Sequence, residues 1–327
     1  MTPDWAIETG DCLEVLKGME SVTAQCCVTS PPYFRLRDYG HAGQIGLEST
    51  PAEYVERLVE VFREVWRVLK DDGILWLNLG DSYSSCGKNR TEAQATAKTG
   101  LGGGVRTQCA SLVQLSKLSK GLKPKDLIGI PWRVAFALQS DGWYLRQDII
   151  WSKPNSMPES TRDRCSRSHE YIFMLTKRPR YYYDYEAVRE PMTTRRASAL
   201  NWCRDSKEGE VPGANNKQHR LERKDKQAGH GRRRGVGFRN KRDVWTVSTQ
   251  PYTAAHFATF PPKLIEPCVL AGSRVGDLVI DPFSGAGTTG LVSVVHGRKY
   301  LGIELNPEYV AMSEARIEAA TRQGVLF

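Results

Sequence analysis

Leu278-Val279-Ile280 is a short apolar run that ends in Asp281 and passes within four residues into Gly285-Ala286-Gly287-Thr288-Thr289-Gly290. Glycine reaches backbone conformations that other residues resist and leaves no side chain in the way. The pattern therefore demands a strand, a tight turn and a helix N-terminus that a cofactor can approach closely. Glu304 closes the next apolar run, nineteen residues after Gly285. An acid there can take both hydroxyls of a ribose, which suits a nicotinamide dinucleotide as well as an adenosyl cofactor. No Lys-Ser or Lys-Thr follows the glycines, which argues against a nucleotide-hydrolysing P-loop.

The rest of the chain alternates strand and helix signals. Ala24 to Thr29 reads as a strand stopped by Pro31-Pro32, which cannot continue a central ladder. Pro51 opens a helix through Leu69, with Tyr54, Leu58, Val61, Phe62, Val65 and Val68 at helical spacing, and Asp71-Asp72-Gly73 is expected to end it. Ile74 to Leu79 then reads as a strand, Ile130 to Gln139 as a helix and Trp143 to Trp151 as a strand, repeating a right-handed parallel unit. Tyr171 to Thr176 is a further strand. Order returns after Asp243-Val244-Trp245, with a helix from Leu264, the strand and glycine turn above, a helix from Thr289 to His296, a strand from Tyr300 to Glu304 and a helix from Pro307 to Arg322. The expected fold class is α/β, doubly wound around a mostly parallel sheet.

Eight cysteines are scattered with no Cys-x-x-Cys pair, so neither a disulfide framework nor a metal site is signalled, and reduced thiols of a cytoplasmic protein are expected. No apolar run is long enough for a membrane span, and no secretory leader is recognisable. The net charge of +9 is concentrated in two stretches: residues 84–126 carry eight Lys/Arg against two acids, and residues 186–243 sixteen against eight. The remainder is mildly acidic. Such a distribution fits a polyanionic partner, the alternative being two solvated surface loops.

Ser30-Pro31-Pro32-Tyr33 follows the first strand. Two prolines hold the backbone rigid and withhold N–H groups, a hydroxyl and a carbonyl stand ready as acceptors, and a ring can lie on a planar base. Together with the glycine loop, and in this order, the chain resembles the β-class amino-group DNA methyltransferases, in which a target motif comes first, a recognition region follows and the cofactor motif comes last. The resemblance implies a Rossmann-like methyltransferase fold of permuted order, S-adenosyl-L-methionine as cofactor and direct methyl transfer to a flipped base in double-stranded DNA. It implies catalytic roles for Ser30, Pro31, Pro32 and Tyr33. Asp281, Phe283, Gly285, Gly287 and Thr288 correspond to the family's cofactor loop, Glu304 to its ribose-binding acid, and His256, Phe260 and Pro261 to the segment over the methionine end. Gly10-Asp11 matches the opening motif, where Asp11 is either a cofactor contact or a helix N-cap.

The expected organisation is a catalytic half over residues 1–185 with a basic insertion at 84–125, a target-recognition region over 186–243 and a cofactor-binding half over 244–327. Arg232, Arg233, Arg234, Arg239, Lys241 and Arg242 are candidates for phosphate contact, with Lys117 and Lys120 on the other side. Ser in the first motif position resembles the N4-cytosine subgroup of the family, which implies N4 of cytosine as the target, with N6 of adenine as the alternative. A related transfer to RNA, a non-catalytic DNA-binding regulator and a nicotinamide-dependent oxidoreductase are the rivals, and the last gives Ser30 to Tyr33 no task. A homodimer and a cognate restriction endonuclease are expected as partners from the family alone.

Overall fold

A computed structural model describes residues 4–36, 38–41, 43–84, 122–192, 238–250 and 259–323. In chain order the elements are β1 (Trp5–Thr9), α1 (Cys12–Gly18), β2 (Ala24–Thr29), α2 (Pro51–Val68), β3 (Leu69–Leu79), α3 (Ile130–Ser140), β4 (Tyr144–Ser152), β5 (His169–Thr176), β6 (Glu190–Pro191), β7 (Phe238–Arg239), β8 (Val244–Thr246), α4 (Pro262–Gly272), β9 (Leu278–Asp281), α5 (Thr288–Val295), β10 (Lys299–Glu304) and α6 (Pro307–Gln323). No helix among them is long and apolar enough to cross a membrane. The chain divides into two compact units, Val188–Lys241 and the remainder.

The larger unit is built on one eight-stranded sheet in the order β1-β10-β9-β2-β3-β5-β4-β8. Every pairing is parallel except those of β5, which runs antiparallel to both β3 and β4. Here the structure departs from the sequence expectation. The β3-α3-β4 unit is present, but β4 does not lie beside β3, because the chain returns from the end of β4 and inserts β5 between them, with Ile74 opposite Thr176 and Tyr144 opposite the same residue. A second departure concerns Asp71-Asp72-Gly73. The helix ends at Val68, where the Leu69 N–H still bonds the Val65 carbonyl. Strand β3 starts at once, and the acidic pair lies within an irregularity: Ala24 faces Leu69 and Cys26 faces Ile74. The Gln25 amide spans that irregularity to the Asp72 carbonyl and carboxylate.

Local sequence explains why α2 forms where it does. Thr50 and Glu53 make a reciprocal capping box, Pro51 occupies the first turn, and Tyr54, Leu58, Val61, Phe62, Val65 and Val68 form its buried face. That face joins Cys27, Leu75, Leu77, Phe173 and Leu175 of the sheet, together with α1 and α3, in one core. The alternate residues look the other way, as strand periodicity requires. Cys26 and Trp76 meet α4, whose Gly272 leaves them room.

The sheet and the glycine loop are joined by a buried carboxylate. Asp281 is 1% exposed, and its oxygens accept from Thr29 Oγ1 at 2.6 Å, Thr289 Oγ1 at 2.8 Å and the Phe283 N–H at 3.0 Å. Burial pushes its carboxyl up to about 6, against the pull of those three donors.

Two outcomes follow. An alanine at position 272 would place its Cβ 2.7 Å from Cys26 Sγ and 2.9 Å from Trp76 Nε1, so Gly272→Ala is expected to destabilise the fold by about 1–3 kcal/mol, read as a lower urea midpoint. For Asp281 the folded-state value lies above the unfolded one, so the folded chain holds the extra proton. Its contribution is complete below about pH 4 and is lost as pH rises through about 6. Asp281→Asn removes that titration. The stability of the natural chain relative to the variant is therefore expected to fall between pH 4 and 7, by about 3 kcal/mol at most, in denaturation curves taken across that range; a constant difference would show that Asp281 stays ionised throughout.

Candidate active site

In a parallel sheet the carboxyl ends of the strands share one edge, and ligands bind in the crevice beyond it. Strand β2 ends at Thr29 and delivers Ser30 to that edge, β9 delivers Asp281, and β10 delivers Glu304. Because β2 and β9 are neighbours, the two motifs at opposite ends of the sequence come together, joined by the Thr29–Asp281 hydrogen bond. Strand β1 lies beyond β10, and the Gly10 N–H bonds the Glu304 carbonyl at 2.9 Å.

The glycine loop is as the sequence requires. Gly285 and Gly287 have φ of 52° and 68° in the left-handed region, and a Cβ on Gly287 would lie 2.6 Å from Ser313 Cβ. Gly287 is the N-cap of α5 and offers no side-chain cap, so the first-turn N–H groups of that helix keep their donor field. Glu304 Oε2 accepts from the Gly285 N–H at 2.8 Å and Oε1 from the Asn306 N–H at 2.9 Å. A carboxylate has about four acceptor positions, so two remain for a diol. Burial raises this carboxyl above its ordinary range.

Other sequence candidates are engaged inside the protein. Both Asp281 oxygens are taken, as above. Thr288 is buried, and its Oγ1 accepts from Arg316 Nη1, which also reaches the Ala286 carbonyl. These two residues shape the loop from within. Phe283 is half-buried beside it. Asp11 is the N-cap of α1, accepting from the Leu13 and Glu14 N–H groups, which realises the capping alternative. Phe260 is half-buried and Pro261 buried where they lead into α4. His256 lies outside the described residues.

Around Ser30 the structure adds residues that the motif did not name. Tyr33 lies with its ring against Gly80, where a Cβ would be 2.5 Å from Tyr33 Cε2. Its hydroxyl donates to Glu170 Oε2 at 2.7 Å. Asn78 Nδ2 donates to the Tyr33 oxygen at 2.8 Å, to Ser30 Oγ at 3.2 Å and to Glu170 Oε2 at 3.2 Å. Lys153 Nζ ion-pairs with Glu170 Oε1 and lies over the Trp151 ring at 4.1 Å. Burial, and next the Glu170 charge, hold the Tyr33 phenol well above its ordinary value, so it keeps its proton. Tyr54 Oη donates to the Pro32 carbonyl at 2.8 Å and fixes the turn from α2. One signal for Asn78 was present in the sequence: it is the lone polar residue in the apolar run Ile74 to Leu79. Glu170 and Lys153 carried no such mark.

The adjacent cysteines take no part. Cys26 and Cys27 are fully buried, and burial pushes both thiols up, as it pushes Cys12 up to about 12.

Of the basic candidates, Arg239 and Lys241 belong to the smaller unit, where β6 and β7 pair antiparallel and both cations converge on Glu190 at 3.3 and 4.0 Å. Arg242 belongs to the larger unit, and its carbonyl accepts from the Trp245 indole at 2.6 Å. Lys117, Lys120, Arg232, Arg233 and Arg234 lie outside the described residues.

Known proteins resemble this chain over nearly its full length. It is 48% identical over 309 residues to the Type II methyltransferase M.Cfr9I of Citrobacter freundii, covering 94% of this chain and 86% of that one. It is 45% identical over 311 residues to M.SmaI of Serratia marcescens, covering 95% and 90%. Among solved structures, the cytosine-N4-specific PvuII DNA methyltransferase shares the fold at a TM-score of 0.61, with 20% identity over 99% of this chain and 95% of that one. A Thermus thermophilus protein crystallised with S-adenosyl-L-methionine shares it at 0.55, with 22% identity over 96% and 95%. The N6/N4 DNA methylase family model matches residues 24–315, from the first residue of β2 into α6, and with these relatives it shows that the chain belongs to that family of Type II DNA amino-methyltransferases.

Proposed function

We propose that this chain methylates the N4 amino group of cytosine within a specific DNA sequence, acting directly on a base rotated out of the duplex. The observation that supports the reading is the Thr29–Asp281 hydrogen bond, which sets the residue before Ser30 against the start of the glycine loop. The base preference is supported by Ser30 itself, the short hydroxyl found at this motif position in the cytosine subgroup.

The exocyclic amine is a weak nucleophile because its lone pair is delocalised into the ring. Ser30 Oγ and the Pro31 carbonyl take its two hydrogens, which favours a pyramidal nitrogen, and the rigid Pro31-Pro32 backbone holds that geometry before the base arrives. The Tyr33 ring, seated on Gly80, stacks on the extruded base. The base must leave the duplex, since its amine is otherwise paired and stacked. No covalent enzyme–base bond is needed, in keeping with the buried, protonated cysteines.

The cofactor is S-adenosyl-L-methionine, which supplies an electrophilic methyl on its sulfonium sulfur. Gly285 and Gly287 admit it without side-chain bulk, Glu304 holds the ribose hydroxyls with its remaining acceptor positions, and Asp11 lies near the adenine. Phe283, Phe260 and Pro261 wall the site, while Asp281 and Thr288 keep the loop in shape. The unit Val188–Lys241 serves as the target-recognition region, in which Arg239 and Lys241 exchange Glu190 for phosphate; Arg242 flanks it.

Incubation with unmethylated mixed-sequence duplex DNA and methyl-labelled S-adenosyl-L-methionine, followed by nucleoside digestion and mass spectrometry, is expected to give N4-methylcytosine. N6-methyladenine would overturn the base assignment and leave the class intact, and unlabelled DNA with label on RNA would overturn the substrate. Ser30→Ala is expected to slow single-turnover transfer by about 10²–10³-fold, with cofactor affinity within about twofold. A variant that lost cofactor binding first would remove Ser30 from the role given to it.

A further inference from the structure

A hydroxyl accepts a hydrogen bond from a base amine only if its own hydrogen points elsewhere. The geometry around Ser30 gives that hydrogen a destination. Glu170, its side chain 16% exposed, is paired with Lys153, and an ionised carboxylate is acceptor-only. Tyr33 therefore spends its one hydrogen on Glu170 Oε2. Its oxygen is left to accept: it receives the Asn78 amide at 2.8 Å, and the same amide nitrogen reaches Ser30 Oγ at 3.2 Å, which sets Ser30 beside that acceptor. Ser30 cannot donate to Asn78 Nδ2, because that nitrogen donates to Ser30. The same nitrogen also donates to Glu170, which turns the donor end of the Asn78 amide into the cluster and leaves Oδ1 buried, without a partner among the described residues. Tyr33 donates to Glu170, and a Ser30 hydrogen turned to the Tyr33 oxygen would continue that run inward and leave a Ser30 lone pair for the base.

We propose that Glu170, held by Lys153, is a positioning residue that orients the Tyr33 and Ser30 hydrogens inward, so that Ser30 selects a base carrying an amino group over one carrying a carbonyl at the same position. Uracil differs from cytosine at C4 by that one exchange, and its oxygen would face a lone pair in place of a donor. A site built to bond a particular polar group rejects the analogue that cannot supply it.

This inference rests on the methyl-transfer reading, and the test separates the two. Duplexes carry the mapped target site with either cytosine or uracil opposite an abasic position, so that neither base is held by pairing; adenine and hypoxanthine replace them if the mapped base is adenine. Affinity of the full-length protein is measured with S-adenosylhomocysteine present. The natural chain is expected to favour the amino base by about tenfold, equivalent to about 1.4 kcal/mol. Glu170→Gln presents either a donor or an acceptor to Tyr33, so the order can reverse and the ratio is expected to fall towards one. Tyr33→Phe keeps the ring on Gly80, breaks the same chain from its other end, and carries the test alone if Glu170→Gln does not fold. The double variant should lose nothing further. A natural chain that methylates DNA without the preference, single variants that retain it, or effects that multiply in the double variant would each overturn the inference. Failure of the natural chain to methylate any DNA would take down the functional reading and this inference together.

Discussion

The hydrogen bond from Thr29 to the buried Asp281 carboxylate is the contact on which the site depends, because it joins segments separated by 252 positions in the chain. Thr29 precedes the motif that begins at Ser30, and Asp281 opens the glycine loop. Thr289, in the first turn of α5, adds its own bond to Asp281 and another to the Val28 carbonyl at 3.1 Å. One carboxylate therefore ties the end of β2, the end of β9 and the start of α5 into a single corner. Burying a charge-bearing group is costly unless it is satisfied by donors, and Asp281 has three. Burial raises the carboxyl to about 6 despite them, so the corner is held by a group that takes up a proton in mild acid.

On that corner the chemistry divides between two kinds of residue. Some are those proposed to meet the ligands: Ser30, Tyr33, the glycine backbone and Glu304. Others set the state of those residues and meet nothing outside. Arg316 holds Thr288 and the Ala286 carbonyl, Tyr54 holds the Pro32 carbonyl, and Asn78 with Glu170 holds Ser30 and Tyr33. A half-buried ion pair such as Lys153–Glu170 is a modest source of stability, since desolvation offsets much of the attraction. Its proposed value lies in direction: an acceptor-only carboxylate takes the Tyr33 hydrogen, whereas a neutral amide of the same shape could donate in its place.

How much of this was readable in the sequence varied with how local the cause was. The α2 helix, with its Thr50–Glu53 box and repeating apolar face, and the Gly285–Gly287 turn were legible because each follows from residues a few positions apart. Asp71-Asp72-Gly73 misled, since an acidic pair before glycine has the composition of a turn, whereas the pairing of β2 with β3 makes it an irregularity inside a strand. Asp11 was legible only as two alternatives, and it took its neighbours' N–H groups to show the cap. The insertion of β5 was not legible at all. Strand pairing depends on which surfaces meet after the chain has turned back, and nothing in Tyr171 to Thr176 states whether its neighbour is parallel.

That unreadable step is also the one that completes the site. Strand β5 enters the sheet antiparallel, so its first residues, not its last, lie at the edge where β2, β9 and β10 end. The register places Tyr171 opposite Leu79 and Glu170 opposite Trp151, two residues before Lys153. A parallel β5 in the same slot would carry Glu170 towards the far edge of the sheet, about five residues of strand away at roughly 3.3 Å each, and Tyr33 would have no carboxylate to donate to. Topology, rather than any motif, brings the acid to the hydroxyl. In the proposed mechanism the named motifs supply the groups that touch the base and the cofactor, and the reversal of one strand supplies the carboxylate to which Tyr33 donates.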